Sequence, residues 1–498
     1  MNRINRRRFV QQTTAAGLAL GLPGLLTGQG RAATSPSSEI RLAVIGLGGI
    51  KIVGGVGGRG RQLVARFSQV PGTRIAALCD VDQEVLDHEL QPFKDAGQQV
   101  AAYTDFRKVL DDPNIDAVVL ATPNHWHALG TIWACQAGKD VYVEKPFSYN
   151  IWEGQQMVAA ARKYGRIVQH GTQRRSSELL RQAFQDLQKG ELGPIRCARA
   201  MVYRRRDSIG RPDQPTPIPA TLNYDLWCGP APLSPPRRKQ LHYEWHWFWD
   251  YGNGEIGNNG THMIDVCRLA LGQEQAPPRV ICAGGRFGFD DSAETANTQV
   301  AWFDYRPAPL ICEIRNFSQS KATIGKFRTG TRGVTVDCEG GYFSGDMSEG
   351  AFFDYQGRKI KDLPRGPKPQ EVEVRHVTNF IEAVRSRKPE QLNADARVGH
   401  ASATCCHMAN VSYRLGKQVA PEALLAAAQG KADLADALQR CREYLRENGI
   451  DLGVNRATLG PWLEFDPAKD QFTGALAQEA NRLSQRQYRQ PFVVPTLD

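Results

Sequence analysis

Lys145 is the residue of this chain whose type and position best suit proton chemistry. It follows the short apolar run 140–143, which predicts a strand, and it precedes Pro146. A residue before a proline is biased towards an extended backbone, which suits a side chain pointed into a cleft. A lysine ammonium can hold a hydroxyl group and exchange a proton with it. We therefore predict that Lys145 is a catalytic residue.

A second candidate lies in the segment 258–265, Asn-Asn-Gly-Thr-His-Met-Ile-Asp. If this segment is helical, Asn258, His262 and Asp265 share one face. An imidazole titrates near neutral pH, so His262 can accept a hydroxyl proton; the alternative is a histidine of the core. Asp265 either fixes the imidazole or serves packing. We predict that His262 is catalytic and that Asn258 and His262 contact the substrate.

A glycine-rich turn follows the first predicted strand. Gly46 and Gly48 have the spacing of a dinucleotide fingerprint, in which glycine permits a tight turn and close approach of a phosphate. The third glycine is late, and a second glycine run ends in Gly58-Arg59-Gly60. Either the loop carries about nine extra residues relative to the usual fingerprint, or the second run is the true turn. We favour the insertion and predict that these five residues bind the cofactor.

Asp80 ends the second predicted strand, 20 residues beyond Gly60. A carboxylate there accepts hydrogen bonds from the adenosine ribose and repels a 2′-phosphate. NAD is therefore favoured over NADP, although Asp82 is close enough to confuse the assignment.

Thr122, Asn124 and His125 follow another apolar run. Ligands of open α/β sheets bind at such strand ends, so we predict that these three residues contact the cofactor. No metal site is predicted, because no cysteine or carboxylate is spaced to complete one with His125 and His127.

Aromatic residues are dense from His242 to Tyr251. Their rings either stack on the C–H faces of a sugar or pack a core. We predict that Trp247 and Tyr251 contact the substrate. Arg174 is a further candidate, as a residue that binds an acidic or polyol group or as a surface charge.

Strands alternate with helices from about residue 39 to 171, which predicts a doubly wound parallel sheet. Later strands lack intervening helices and indicate an antiparallel sheet. The fold class is therefore α/β, with a doubly wound parallel sheet followed by an antiparallel sheet. We predict a signal peptide at 1–33, domains at 38–172 and 173–417, and a helical extension with a surface-wrapping tail at 418–498.

Composition is ordinary for a globular protein, with 23% charged and 41% hydrophobic residues. The net charge of +10 is dispersed, and the clusters at 204–206 and 237–239 indicate a solvated basic face. Nucleic-acid binding is therefore not expected, and no run is long and apolar enough for a membrane span in the mature protein.

The N-terminus predicts export. Arg6-Arg7-Arg8-Phe9 precedes a weakly apolar segment and a small-residue cleavage candidate around Ala32-Ala33. Arg-Arg-x-Phe resembles the twin-arginine signal of bacteria. We therefore expect the translocon of that pathway as a transient partner and a periplasmic or otherwise exported protein.

Together these motifs resemble the Gfo/Idh/MocA family of oxidoreductases. The resemblance rests on the glycine turn, Asp80 and four further motifs, which are Thr122-Pro123-Asn124-His125, Glu144-Lys145-Pro146, Gly171-Thr172-Gln173 and Gly260-Thr261-His262-Met263-Ile264-Asp265. It implies an N-terminal Rossmann domain followed by a C-terminal α/β domain with an open, mostly antiparallel sheet. It implies a tightly held nicotinamide cofactor, which Glu144, Lys145 and Gln173 help to bind, and a sugar or cyclitol substrate. It also implies a homodimer or homotetramer, often formed through the outer face of the second sheet. Many relatives have aspartate where this chain has Asn258.

Three functions are compatible with these residues. The first is an exported NAD-dependent oxidoreductase acting on a sugar, glycoside or inositol-like polyol. The alternative is a glycosidase that oxidises a sugar hydroxyl transiently, eliminates the aglycone, adds water and reduces again. The third is a non-enzymatic sugar-binding or assembly protein, whose pathway would not depend on Lys145.

Overall fold

Six parallel strands form the first sheet of the computed structural model, which describes residues 39–50, 57–320, 322–328, 330 and 332–497. The strand order is β3-β2-β1-β4-β5-β6. The central strands are short apolar runs with both faces buried, as helices on both sides of a parallel sheet require. The strands are β1 (Ile40–Ile45), β2 (Thr73–Cys79), β3 (Ala101–Tyr103), β4 (Ala117–Leu120), β5 (Asp140–Val143) and β6 (Val168–His170).

Five helices connect these strands, and polar residues cap several of them. The Asp82 carboxylate accepts from the Glu84 amide at the start of the second helix, and Asn150 caps the fifth through the Glu153 amide. The parallel Rossmann sheet predicted from the sequence is thus confirmed. The helices are α1 (Arg59–Phe67), α2 (Gln83–Asp95), α3 (Phe106–Asp111), α4 (His127–Gln136) and α5 (Ile151–Lys163).

The second sheet is larger and mostly antiparallel, as predicted. Its order is β14-β13-β12-β11-β7-β10-β9-β8-β16-β15, with β17 and β18 attached beside β8. Only β7 and β10 pair in parallel within the described part of this sheet. The strands are β7 (Ile195–Tyr203), β8 (Arg279–Gly285), β9 (Thr298–Phe303), β10 (Leu310–Arg315), β11 (Arg332–Cys338), β12 (Gly341–Gly345), β13 (Gly350–Phe353), β14 (Lys359–Asp362), β15 (Lys417–Val419), β16 (Ala457–Leu459), β17 (Leu463–Asp466) and β18 (Gln471–Thr473).

The remaining helices pack on both sheets. One of them, α10, contributes Ala403 to the core beside the first sheet and Met408 to the core beside the second. The helix α9 packs Phe380 against the first sheet although it follows the second in sequence. The helices are α6 (Glu178–Gln188), α7 (Tyr224–Cys228), α8 (Thr261–Ala270), α9 (Pro369–Ser386), α10 (Ala396–Arg414), α11 (Pro421–Ala426), α12 (Ala432–Glu447) and α13 (Ala477–Leu483).

The helices α11 and α12 cover part of the outer face of the second sheet. Leu434 and Leu438 share a buried cluster with Trp302 and Ile311 of the strands. Arg440 adds a two-pronged ion pair to Glu313, at 2.7 and 2.8 Å. A homo-oligomer through this face therefore has to use strands that the two helices leave uncovered.

The tail after Gly460 is more regular than the sequence indicates. We expected it to wrap on the surface with little periodicity, and this is wrong for 463–483, which form β17, β18 and α13. Phe492 and Val494 are then buried in the core beside the first sheet. The edge of the second sheet, which no local sequence pattern reveals, provides the pairing partner for β17.

Four further observations concern membrane spans, cysteines, metal sites and the N-terminus. No helix in the described ranges combines the length and apolarity needed to cross a bilayer. All eleven cysteines are free thiols, and ten of them are buried. Within those same ranges, no three histidine, cysteine or acidic side chains gather into a metal-binding group. The predicted signal peptide at 1–33 lies outside the described residues.

Glu153 connects the tail to α5. Its carboxylate accepts from the Tyr149 amide at 3.2 Å, the Asn150 side chain at 3.2 Å and the Tyr488 hydroxyl at 3.0 Å. Burial raises the pKa of this carboxyl from 4.5 to about 7. The folded protein therefore holds the proton more tightly than the unfolded chain. The stabilisation is complete below about pH 4.5 and is lost as the pH rises through about 7.

We expect Glu153→Gln to remove this loss, because an amide resembles the protonated acid. The variant should gain up to about 3 kcal/mol over the parent above pH 7 and little at about pH 5. Urea unfolding at both pH values measures the difference, with the exposed Glu390→Gln as control. A constant difference between variant and parent across this range would contradict the assignment.

Candidate active site

Three glycines, two in the turn after β1 and one in α1, lie where no side chain fits. A Cβ at Gly46 would lie 2.8 Å from the Thr122 amide nitrogen, and one at Gly60 only 2.0 Å from the Gly46 oxygen. A Cβ at Gly48 would lie 2.6 Å from Gly58, which has φ 64° and precedes the first residue of α1. The chain therefore leaves at Gly48 and returns at Gly58. This geometry agrees with the inserted loop, of which residues 51–56 lie outside the described residues.

We expect Gly60→Ala to impair nucleotide binding, because its methyl group would push α1 away from the turn after β1. Overpacking of this kind costs about 1–3 kcal/mol. Nucleotide content after purification and thermal unfolding measure the effect. Gly330→Ala is the control, since among the described residues its Cβ meets no atom closer than 3.9 Å. Full nucleotide content in Gly60→Ala would show that the close approach at Gly60 is not needed for nucleotide binding.

Asp80 and Asp82 have different environments. Asp80 lines the cavity described below and accepts from the Leu47 amide at 2.7 Å. Asp82 caps α2 and contacts His242 at 2.9 Å. The geometry therefore favours Asp80 as the residue that faces a ribose.

A cavity of about 290 Å³ runs along the carboxyl ends of the first sheet. One end lies beside the glycine turn and Asp80, and the other beside Lys145. The predicted site residues that line it are Gly46, Gly48, Gly58, Arg59, Asp80, Thr122, Asn124, Glu144, Lys145 and Asn258. Predicted residues that do not line it are Gly60, His125, Gln173, Arg174, Trp247, Tyr251 and His262.

The residues at the first end fit a dinucleotide. The glycines leave room for a pyrophosphate, and the N-terminus of α1 provides free amide groups and a positive dipole end. Asp80 supplies the carboxylate for a ribose. The Thr122 hydroxyl is buried and finds no partner within the described ranges, so it is available to a bound molecule.

Lys145 lies at the junction of two charged networks. The Glu144 carboxylate accepts from Arg59 Nε at 2.7 Å, and Arg59 also reaches Glu373 at 3.2 Å. The Lys145 ammonium donates to Asn258 Oδ1 at 2.8 Å. Burial lowers the pKa of Lys145, against the opposing effect of the Glu144 charge. A lysine in this setting can take up and release a proton more readily than one in water.

The side-chain amide of Asn258 is held in one orientation by a hydrogen bond to Glu255. Asn258 lies in a single π-helical turn, Ile256–Gly260, that leads into α8; such turns are frequent at functional sites. Asn258 Nδ2 donates to buried Glu255 at 3.4 Å, and Arg206 donates to the same carboxylate at 3.1 and 3.2 Å. Because the NH₂ group faces Glu255, the amide oxygen faces Lys145.

His262 occupies the first turn of α8, buried behind the cavity wall. Burial, with further effects from Lys145 and Arg174, lowers its pKa well below 6.5. The ring is therefore neutral at physiological pH, and its Nδ1 finds no partner within the described ranges. Asp265 does not bond to this ring, because its carboxylate is held by Arg175 at 2.8 and 2.9 Å.

Two predicted site residues lie in an aromatic core beside the cavity. His125 bonds to the Trp227 carbonyl oxygen at 2.9 Å, and burial lowers its pKa to about 3. The Tyr251 ring packs 5.0 Å from Trp227 and 5.4 Å from His125. The structure thus places both side chains in packing contacts away from the cavity surface.

Other predicted residues are held by neighbours. Trp247 packs 5.5 Å from the Arg206 guanidinium. Arg174 is paired with Asp346, and Gln173 donates to Glu373 at 3.4 Å.

The interpretation of the arginine clusters as a solvated face is wrong for three residues. Arg238 is fully buried against Trp227, with 4.5 Å from the guanidinium carbon to the ring centre. Arg204 and Arg206 line the cavity. The sequence did hold a signal for Arg204 and Arg206. They stand two positions apart directly after an apolar strand, and alternate residues of an extended chain face the same side.

Four residues of the dense aromatic segment also line the cavity, namely His242, Tyr243, Trp245 and His246. The sequence identified this segment, but it did not show which of its residues face the cavity. His246 stacks on Trp245 with 3.7 Å between ring centres.

The fold and this site define a dinucleotide-binding α/β protein with a second, sheet-based domain. Residues 40–172 match the model of the NAD-binding Rossmann-fold domain of the Gfo/Idh/MocA oxidoreductases, and residues 209–306 match that family's C-terminal α/β domain. The chain belongs to the Gfo/Idh/MocA oxidoreductase family.

Named relatives and solved structures are similar in parts. A glycosyl hydrolase family 109 protein of Shewanella baltica (strain OS195) is 32% identical over 174 residues, and the alpha-N-acetylgalactosaminidase of Shewanella oneidensis is 30% identical over 174 residues. Each match spans 33% of this chain and 38% of the relative.

Two solved structures share the fold. The WlbA dehydrogenase of Bordetella pertussis, in complex with NADH and UDP-GlcNAcA, has a TM-score of 0.53 at 19% identity. A levoglucosan dehydrogenase in complex with NADH has a TM-score of 0.54 at 16% identity. Each match covers 74% of this chain and 95% of the other.

Proposed function

We propose that this protein is an NAD-dependent oxidoreductase acting on a CH–OH group of a sugar, glycoside or inositol-like polyol. The observation that carries the proposal is the placement of Lys145. Its ammonium lies in the same cavity as the glycine turn and Asp80, and a neutral amide acceptor holds it at 2.8 Å. A hydroxyl group in that cavity meets a proton-exchanging lysine beside a nucleotide site.

The residues divide the work between binding and proton transfer. Gly46, Gly48 and Gly58 would receive the pyrophosphate of NAD, and Asp80 its adenosine ribose. When bound, the nicotinamide supplies hydride transfer. Lys145 binds the substrate hydroxyl and, in its neutral amine form, takes its proton as the carbon is oxidised. Burial favours that form because it lowers the pKa of Lys145. Asn258 cannot titrate, so it orients the ammonium without exchanging a proton.

His262 is proposed as a second base. Its ring is neutral because burial and the nearby Lys145 charge disfavour protonation. From behind the cavity wall it can receive a proton only after a small rearrangement or through a bridging water. Lys145 is therefore the group that contacts the hydroxyl first.

The cavity lining also suits a ring with hydroxyl groups. Tyr243 and Trp245 line it with aromatic surface, and Asn259 adds an amide. Sugars are recognised by aromatic faces together with polar tips. These contacts support a carbohydrate or cyclitol as the substrate class.

A second candidate function is glycoside cleavage by transient oxidation, elimination, hydration and re-reduction. The names of two relatives favour it, namely the glycosyl hydrolase family 109 protein at 32% identity and the alpha-N-acetylgalactosaminidase at 30% identity. It uses the same lysine and the same nucleotide site, so geometry alone does not separate it from net oxidation. Nucleotide turnover does separate them, because cleavage leaves the redox state unchanged.

The experiment begins with protein purified without added nucleotide. The nucleotide released on denaturation is identified, and its absorbance is followed while sugars and aryl glycosides are added. Net oxidation predicts accumulation of reduced nucleotide. Cleavage predicts release of the aglycone with constant absorbance. Protein that neither retains nor binds a nicotinamide nucleotide would refute both.

We further propose that the protein is exported through the twin-arginine pathway and assembles as a homodimer or homotetramer. The Arg6-Arg7-Arg8-Phe9 segment supports export. Replacement of Arg6 and Arg7 by lysine should leave the protein in the cytoplasmic fraction. If the parent and this variant were both found in the periplasm, export through the twin-arginine pathway would be contradicted.

A further inference from the structure

A second cavity, of about 370 Å³, lies where α10, the segment 249–253 and the C-terminal tail meet. Among the described residues, it shares no lining residue with the cavity that contains Lys145. The two cavity walls touch at one hydrogen bond, which Asn124 of the first donates to Asn253 Oδ1 of the second at 2.9 Å. A volume of this order is typical of sites for small molecules.

Three buried residues in the lining of this second cavity are polar. Asn253, His407 and Asn410 are each less than a tenth exposed. Asn410 Nδ2 donates to Asn253 O at 2.9 Å, whereas Asn410 Oδ1 has no hydrogen-bond partner in the described part of the chain. Burial lowers the pKa of His407 to about 3, so its ring is neutral. Since a buried polar atom costs free energy until it finds a partner, the Asn410 oxygen is available to a bound molecule.

Two arginines from distant parts of the chain line the same cavity, each held by an aromatic ring. Arg414, the last residue of α10, has its guanidinium carbon 5.0 Å from the Trp249 ring centre. Arg486 of the tail has its guanidinium carbon 4.4 Å from the Tyr149 ring centre and donates to Asp250 O at 3.0 Å. Within the described ranges neither guanidinium forms an ion pair with a carboxylate. Most of their hydrogen-bonding N–H groups are therefore free to bind a ligand.

The lining of the second cavity carries a surplus of positive charge. Among the described residues that line it, the two arginines are accompanied by one acidic residue, Asp250. Both arginine charges act on the same hydroxyl, because burial raises the pKa of Tyr149 and Arg486 and Arg414 oppose that rise. Glu153 lies near Arg486 but does not line the cavity, and its pKa of about 7 keeps it mostly protonated in mildly acidic solution. The cavity therefore favours an anionic group.

We propose that this cavity is a second binding site, separate from the nucleotide cavity, for a small sugar acid. Arg414 and Arg486 bind its carboxylate through charge-assisted hydrogen bonds. Asn410 Oδ1 accepts from one of its hydroxyls, and Gln485 and Gln487 line the cavity with further amide groups for the others. The aromatic rings hold the guanidinium groups in place, which reduces the conformational entropy lost on binding. This site does not depend on the function proposed above.

The test is calorimetry on the full protein loaded with NAD, at about pH 6, where Glu153 is mostly protonated. Gluconate and glucuronate are the probes, glucitol and glucose are their uncharged partners, and sulfate is a bare oxyanion. We expect at least one of the two acids to bind about tenfold or more tightly than its uncharged partner and than sulfate. Arg414→Gln and Arg486→Gln should each weaken that binding about tenfold or more, because each removes a charged donor.

Arg482→Gln is the matched control, because Arg482 is an exposed arginine of α13 that does not line the cavity. It should leave binding of the acids unchanged. Thermal unfolding should show that Arg414→Gln is folded, since the exposed Arg414 side chain forms no hydrogen bond in the described ranges. Binding that persists in both cavity variants would place the acids elsewhere and overturn the proposal. Failure of both acids to bind, or sulfate binding as tightly as the acids, would overturn it as well.

Discussion

Replacing Lys145 with methionine is expected to lower turnover about a thousandfold and to leave the bound nucleotide in place. Methionine keeps most of the length of the side chain but lacks the ammonium. The substrate hydroxyl then loses the group that accepts its proton, and general acid–base groups contribute about 10²–10⁴-fold to rate. The nucleotide should remain because its pyrophosphate and adenosine contacts, at the glycine turn and Asp80, do not involve the Lys145 ammonium. Steady-state kinetics and nucleotide content after denaturation measure the two effects.

The exposed Lys163→Met is the matched control for this substitution. It removes the same charge from the end of α5, where the side chain is in solvent. Its turnover and nucleotide content should equal those of the parent. If Lys145→Met instead kept a tenth or more of the parent's activity, Lys145 would be a binding residue and the proton would leave through another group.

The grouping of the predicted nucleotide-binding residues around one cavity could be inferred from the sequence, because their signals are local. Gly46, Gly48 and Asp80 each follow a strand whose apolar run is visible in the sequence, and parallel strands end at one edge. Even the inserted loop could be inferred, since both glycine runs were visible. The contact between Gly48 and Gly58 shows why it is tolerated: the insertion begins and ends at one point of the fold.

The part of the site proposed to hold the substrate depends on contacts between residues that are far apart in the sequence. Local sequence patterns are less informative about such contacts. His125 and Tyr251 have the chemistry of ligand-binding residues, but both pack in a core around Trp227. Arg206 looked like a surface charge because its partner, Glu255, lies 49 residues further along the chain. Burial of a charge is decided by such a partner, and residue type alone does not reveal it.

Asn258 illustrates the same point. Many relatives have aspartate at this position, and an asparagine cannot titrate, so the sequence alone leaves Lys145 and His262 to manage the proton without a carboxylate. The structure adds a carboxylate one step further back, since Glu255 binds the amide of Asn258. The lysine thus meets a neutral acceptor whose orientation is set by a buried negative charge. Glu255 is a positioning residue in this arrangement, because it reaches Lys145 only through Asn258.

Glu255→Gln is therefore expected to have the largest effect on stability among single substitutions around the site. Removing one member of a buried ion pair typically costs about 3–5 kcal/mol, because the partner charge is left uncompensated. The partner here is Arg206, whose side chain is 12% exposed beside a Glu255 side chain that is 0% exposed. Denaturant unfolding of the nucleotide-loaded protein measures the loss, with the exposed Glu382→Gln as control.

Two further comparisons distinguish positioning from bulk stability. Adding Arg206→Gln to Glu255→Gln should recover part of the lost stability, since the uncompensated charge is then gone and contacting residues are not additive. Turnover should not recover, because a glutamine at 255 can present its NH₂ group to Asn258 and allow the amide to turn. Lys145 would then face a donor instead of an acceptor, and the pH optimum of turnover should shift. An unchanged pH profile in a folded Glu255→Gln protein would show that Glu255 serves stability alone.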